Sequence, residues 1–166
     1  MYRGGVQTVT DKGSVGESID TSGPAAQKKL SALSISVINY EIVPDDMDCI
    51  AARLIEWVDK DKLDIIVTTG GTGLSPRDVT PEATMKVIEK MVPGLSEAMR
   101  IGTMKHAPTS ILSRAIAGSR GKCLIINLPG SQAGVEECIT IIAPVLIHGL
   151  ETLAGKTFEG PHGGMV

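Results

Sequence analysis

The chain has 166 residues, 42% of them hydrophobic and 21% charged, with a formal net charge of −3. That describes one globular domain, long enough to bury about 70% of its unfolded surface. Lys and Arg total 16 against 19 acidic residues without clustering, and the aromatic residues are Tyr2, Tyr40, Trp57 and Phe158 alone, so a basic nucleic-acid footprint and a base-stacking platform are both excluded.

From the N-terminus, Val6 to Thr10 is a short β-branched run that ends at Asp11 in a polar, Gly-containing loop. Gly23 to Leu33 reads as helix, and Ile35 to Tyr40 alternates with period two, the mark of a strand that Pro44 stops. Between Met47 and Asp59 the apolar positions Met47, Ile50, Leu54, Trp57 and Val58 share one helical face. Leu63 to Thr69, with Ile65-Ile66-Val67 at its centre, is a buried strand closed by Gly70-Gly71. Thr80-Pro81-Glu82 combines a hydroxyl cap, an early proline and an acid in the first turn, and opens a helix expected to run towards Met91. A second helical piece follows Pro93-Gly94, from about Leu95 to Gly102. Ile111 to Ala117 and Lys122 to Leu128 read as an antiparallel pair about the Gly118-Ser119-Arg120-Gly121 turn. Pro129-Gly130-Ser131 leads into a long apolar helix to Leu153, and a flexible Gly-rich tail, 155–166, follows a single domain, 1–154.

Strand–helix alternation predicts an α/β fold, a three-layer α/β/α sandwich on a mostly parallel sheet. Ligands bind such sheets beyond the carboxyl ends of the strands, where three loops here carry Gly or Asp: Asp11 onward, Gly70 to Asp78, and Pro129 to Ser131. In Gly70-Gly71-Thr72-Gly73 the glycines let backbone N–H groups approach an anion, although a tight strand-to-helix turn needs the same residues. Asp78 follows that loop, and Asp45-Asp46 follow the preceding strand. Were those two strands parallel neighbours, the carboxylates of Asp45 and Asp78 would meet above one sheet edge, a pair suited to a Mg²⁺–nucleotide. Asp46 suits a cap on the Met47 helix; for Asp45, capping and metal binding both fit. Asn127-Leu128-Pro129-Gly130-Ser131 ends a buried strand and offers N–H groups and a hydroxyl to a phosphate, while Ser131 also suits an N-cap. Arg77 and Arg114 are candidate phosphate partners or solvated charges.

Several alternatives drop out. Cys49, Cys123 and Cys138 are scattered and form no Cys-x-x-Cys pair, which suits reduced thiols rather than a disulfide framework. His106, His148 and His162 show no zinc-ligand spacing. The most apolar stretch, Ile139 to Leu150, is short and interrupted by Thr140, Pro144 and His148, and no apolar signal core follows Met1, so no membrane role and a cytoplasmic location are expected.

The run from Thr68 to Thr84, Thr-Thr-Gly-Gly-Thr-Gly-Leu-Ser-Pro-Arg-Asp-Val-Thr-Pro-Glu-Ala-Thr, closely resembles the defining motif of the molybdenum-cofactor family that includes MogA, MoaB and the gephyrin G domain. Thr8-Val9-Thr10-Asp11, Val43-Pro44-Asp45 and Gly121 to Ser131 agree with it in order and spacing, and the resemblance covers about Val6 to Leu153. It implies a mixed sheet, a homotrimer, molybdopterin binding and, in the adenylyltransferase branch, Mg²⁺-dependent transfer of AMP from ATP to molybdopterin with release of pyrophosphate. The essential acids of the family fall on Asp45 and Asp78, as catalytic and metal-binding residues. Its ligand-binding loops fall on Thr10 and Asp11, on Gly70, Gly71, Thr72, Gly73 and Ser75, and on Asn127, Pro129, Gly130 and Ser131. The product would pass to the enzyme that inserts molybdate. Two other readings share the fold: a MoaB-like paralogue that binds molybdopterin without adenylating it, and an oligomeric scaffold domain.

Overall fold

Successive residues of a strand face opposite sides of a sheet, and the central strands here are apolar on both sides, so the sheet needs cover on both faces. The computed structural model, which describes residues 1–156, shows how that cover is supplied. The chain runs β1 (Tyr2–Val9), a one-turn helix α1 (Asp11–Ser14), α2 (Ser22–Ala32), β2 (Ile35–Val43), α3 (Met47–Asp59), β3 (Ile65–Thr69), α4 (Thr80–Met85), β4 (Lys90–Met91), α5 (Pro93–Thr103), a 3-10 helix (Pro108–Leu112), β5 (Ala117–Arg120), β6 (Cys123–Leu128) and α6 (Gln132–Leu153). Sheet order is β2-β1-β3-β6-β5-β4. The first four strands in that order are parallel, β5 is antiparallel to β6, and β4 is antiparallel to β5. This is the expected three-layer α/β/α sandwich with a mostly parallel mixed sheet.

Strand parity sorts the core. Ile65, Val67, Leu124, Ile126 and Leu128 face α2, α5 and α6, packing with Leu30, Met99, Ile139, Ile142 and Leu146. Ile66, Cys123 and Ile125 face α3 and α4, packing with Ile50, Leu54, Trp57 and Val87. Gly5 in β1 supplies the space for the indole: a Cβ there would stand 2.8 Å from Trp57 Cε3 and 2.7 Å from Leu63 Cδ1. By length and composition α6 is long and apolar enough to cross a membrane, which the shorter Ile139–Leu150 stretch did not suggest. Here Val135, Cys138, Ile139, Ile142, Leu146 and Leu150 form a buried stripe of the sandwich core instead.

Three local expectations are corrected. The helix from Thr80 ends at Met85, and the chain turns to form β4, held by Glu89 N donating to Ser119 O (2.7 Å) and Val92 N to Ala117 O (2.8 Å). Gly118 permits that approach, since a Cβ would lie 2.6 Å from both Ile88 Cδ1 and Lys90 O. Ile111 and Leu112 belong to the 3-10 helix rather than a strand, and the hairpin reverses through Gly121-Lys122 alone, with Gly121 at φ +54°. Residues 113–115 stay off the ladder because other groups engage their backbone: Arg100 donates to the carbonyls of Ser113 and Ala115, and Arg114 N to Thr72 O, while Ile116 meets Asn127 of β6 through Asn127 N to Ile116 O (2.9 Å) and Ile116 N to Asn127 Oδ1 (3.2 Å). Of the expected tail, residues beyond Lys156 lie outside the described residues.

Candidate active site

Sheet order places the chain-reversing loops side by side at one edge: 44–46 after β2, 10–11 after β1, 70–78 after β3 and 129–131 after β6. Strands β2 and β3 are parallel, as expected, but β1 lies between them, so Asp45 and Asp78 are not presented by adjacent strands. The turn after β3 closes the gap. Gly70 (φ +88°) and Gly71 (φ +65°) are successive left-handed residues, a conformation that turns the backbone sharply and is cheap only without a Cβ. A Cβ at Gly71 would collide with Thr80 Oγ1 and lie 3.3 Å from Asp45 Oδ1; one at Gly73 would lie 2.8 Å from Asp78 Oδ2. The two carboxylates therefore flank this turn.

Asp11, at the end of the intervening β1, fills the space between. Its N–H donates to Asp45 Oδ2 (2.8 Å), and Asp45 N–H donates back to Asp11 Oδ1 (2.9 Å). Arg77 closes over Asp11 from the other side, Nε and Nη2 reaching its two carboxylate oxygens at 2.7–2.9 Å. Asp11, expected among the substrate-binding residues, thus has its carboxylate engaged within the protein, and Arg77 is an ion-pair partner rather than a free charge. Hydrogen bonds from Arg77 and the Asp45 amide hold the Asp11 carboxyl below its usual range. Asp45 moves the other way: burial, then the charges of Asp11 and Asp78, raise its carboxyl, and the Asp11 amide and Arg77 offset this only in part. The turn is therefore flanked by acid charge that Arg77 does not neutralise.

The backbone between the acids has the opposite character. Among the described residues, no acceptor is paired with the N–H groups of Gly71, Thr72, Gly73 and Leu74. Successive unpaired N–H groups in a tight turn form an anion-binding concavity. Thr80 does not cap α4 as expected; its hydroxyl donates to Gly70 O (2.9 Å) and its N–H to Gly71 O (3.1 Å), which fixes the turn from below. Ser75 begins a tight turn, its N–H donating to Asp78 Oδ2 (3.0 Å) and its carbonyl accepting from Asp78 N (2.9 Å). Asp46 caps α3 through Cys49 N (2.8 Å), and Ser131 caps α6 through Gly134 N (3.2 Å), as expected for both.

Two cavities adjoin the turn. The larger, about 590 Å³, opens between α5, the 3-10 helix and α6; Thr72, Gly73, Asn127, Pro129 and Ser131 contribute to its wall beside Met99 and Cys138. The smaller, about 170 Å³, takes Thr10, Gly70 and Gly130 with Asp20 and Ser22. The two loops meet where a Cβ at Gly130 would stand 3.3 Å from Gly70 Cα. Asn127 is fully buried, and its amide is spent on Ile116 N, Thr68 Oγ1 (3.0 Å) and Thr84 Oγ1 (2.8 Å), so its side chain shapes the site from within. The residue that sequence reasoning missed is Asp20. Its carboxylate accepts from Thr8 Oγ1, Tyr40 Oη, Ser22 N and Oγ, and Gly23 N, all at 2.6–3.0 Å. The Asp20-x-Ser22-Gly23 spacing ahead of α2 is a capping signature that was available in the sequence.

Residues 5–148 match the family described as probable molybdopterin binding domain. The chain is 44% identical over 157 residues to the molybdopterin adenylyltransferase of Helicobacter pylori strain J99, covering 93% of this chain and 89% of that protein. It is 34% identical over 167 residues to the molybdopterin adenylyltransferase of Escherichia coli K12, covering 95% and 86%. Its fold superposes on the crystal structure of the molybdopterin biosynthesis enzyme MoaB from Thermus thermophilus with a TM-score of 0.89, at 45% identity over 96% of this chain and all of that one.

Proposed function

This chain belongs to the family of probable molybdopterin binding domains, and from that premise we propose that its glycine turn and flanking acids carry an adenylyl transfer. The protein is a transferase of molybdenum cofactor biosynthesis, a molybdopterin adenylyltransferase like the relatives it matches over most of its length. AMP passes from ATP to the terminal phosphate of molybdopterin, giving adenylyl-molybdopterin and pyrophosphate. We place this step in the cytoplasm, in a homotrimer that hands its product to the molybdate-inserting enzyme.

The carrying observation is the row of unpaired N–H groups at Gly71 to Leu74 set between Asp45 and Asp78. Adenylyl transfer brings two polyphosphate groups together, and a row of N–H donors beside two acids suits phosphate oxygens on one side and a cation on the other. A phosphate oxygen of molybdopterin attacks the α-phosphorus in line; the new P–O bond forms as the bond to the β-phosphate oxygen breaks, and pyrophosphate leaves with that electron pair. The attacking group is already an anion, so no side chain needs to act as nucleophile. Loop N–H groups orient both phosphates, and catalysis is positioning and electrostatics.

Two carboxylates beside a phosphate site are a donor set suited to Mg²⁺, which takes oxygen ligands from one or two acids plus phosphates. The raised Asp45 carboxyl marks charge that such a cation would neutralise. Asp45 and Asp78 would hold it, and its contribution is to offset charge on the phosphates and the leaving pyrophosphate. Asp45→Asn and Asp78→Asn are each expected to lower adenylation by about 10²-fold or more while leaving the fold intact. Normal product formation by Asp78→Asn would remove the metal assignment.

A further inference from the structure

We propose that Arg114 is a positioning residue for this site, fixing the direction of the phosphate-facing N–H groups and the place of Asp78 from behind the turn. The inference rests on the adenylyl-transfer reading and concerns a residue that is outside the lining of both cavities beside the turn. Arg114 leaves the 113–116 segment and meets the 72–82 segment at four points. Its backbone N–H donates to Thr72 O (2.9 Å), Nε to Gly73 O (2.7 Å) and Nη2 to Asp78 O (2.8 Å), while Nη1 pairs with Glu82.

Each acceptor fixes the N–H that shares its peptide. In a trans peptide the carbonyl and the next N–H point in opposite directions. Drawing the carbonyls of Thr72 and Gly73 towards Arg114 therefore turns the N–H groups of Gly73 and Leu74 away from it, and both are among the unpaired donors of the turn. Holding Asp78 O pins the backbone that carries the second acid, whose Oδ2 already accepts from Ser75 N.

Arg114 is itself pre-set. Arg100 Nη1 donates to the carbonyls on either side of it, Ser113 O (3.2 Å) and Ala115 O (2.9 Å). The planar guanidinium fork suits two carbonyls in different places, a task that a lysine ammonium on a flexible stem does not reproduce.

The test compares Arg114→Lys with Glu82→Gln in the full chain. Glu82→Gln weakens the surface ion pair but keeps both carbonyl bonds. Titration calorimetry with Mg²⁺·ATP, without molybdopterin, reads binding apart from turnover; adenylation kinetics and thermal melting accompany it. Arg114→Lys is expected to weaken Mg²⁺·ATP by about five-fold or more and to lower kcat by about ten-fold or more. Glu82→Gln should stay within about two-fold of wild type throughout. Wild-type affinity and kcat in Arg114→Lys, or an equal loss in Glu82→Gln, would overturn the inference while leaving adenylyl transfer standing. Absence of both Mg²⁺·ATP binding and turnover in the wild type would overturn the adenylyl-transfer reading and this inference with it. If Arg114→Lys melts more than about 10 °C below wild type, Arg100→Lys replaces it. That variant should weaken Mg²⁺·ATP by about two-fold or more, and unchanged affinity in it would count against the inference.

Discussion

Asp45 and Asp20 are both partly buried carboxylates at the same sheet edge, yet they carry opposite consequences for stability. Asp45 is raised by burial and by like charges, so its ionised form costs the fold stability. The cost is absent below the ordinary carboxylate range and grows as pH rises through the raised folded value. Asp45→Asn keeps an acceptor for Asp11 N–H and is expected to melt no lower than wild type at pH 7, with the two curves converging towards pH 4, while adenylation is lost. For Asp20, burial alone would raise the carboxyl, but the donors from Thr8, Tyr40, Gly23 and Ser22 together outweigh it and hold it below its usual range. Its contribution is present above the unfolded value of 3.8 and is lost as pH falls through the lower folded value. Asp20→Asn should cost about 1–2 kcal/mol at pH 7, or roughly 2–8 °C, and the gap should narrow below about pH 4. Melting curves of the three proteins from pH 3 to 8 check both signs. Asp45 and Asp78 were legible in the sequence because each follows a strand end beside a glycine turn or a proline stop. Asp20 is legible only in part: the spacing to Ser22 and Gly23 signals a cap, but the Thr8 and Tyr40 hydroxyls reach it from two other strands and leave no local pattern.

At the scale of elements, glycine governs how closely layers approach. Gly5 in β1 and Trp57 in α3 fit only because no Cβ stands between them. Gly5→Ala is expected to destabilise by about 1–3 kcal/mol through overpacking, and Trp57, the single tryptophan, should report the displaced contact as a shifted emission maximum. At Gly71 an added methyl meets positive φ as well as Thr80 Oγ1. Gly71→Ala should cost about 2–4 kcal/mol and lower Mg²⁺·ATP affinity, measured by denaturant unfolding and calorimetry. The helical pattern identified α3 to the residue, and buried apolar runs located β3 and β6, whereas β1 starts at Tyr2, ahead of the expected Val6, because Gly4 and Gly5 interrupt its apolar pattern. The short edge strand β4 escaped that reading: two residues cannot display a period, and its place depends on the bare backbone of Gly118. Residues 113–115 look like strand, but their backbone groups are taken by the Arg100 side chain and by Thr72 O, a tertiary effect with no local signature.

Over the whole molecule, α5 and the 3-10 helix packed against it expose Ile101, Met104, Ile111 and Leu112 on the flank that also carries the larger cavity. Neighbouring exposed apolar residues suit an interface between copies, which supports the proposed homotrimer. Sedimentation equilibrium should give a mass of three chains, and a mass of one chain would remove the trimer. The central claim is the transfer itself. The most direct measurement incubates the purified protein with molybdopterin, ATP and Mg²⁺ and follows adenylyl-molybdopterin and pyrophosphate, with Asp78→Ala alongside. Product and pyrophosphate in equal amounts from the wild type, and at least about 10²-fold less from Asp78→Ala, is the predicted result; bound molybdopterin with no adenylation by the wild type would contradict the account.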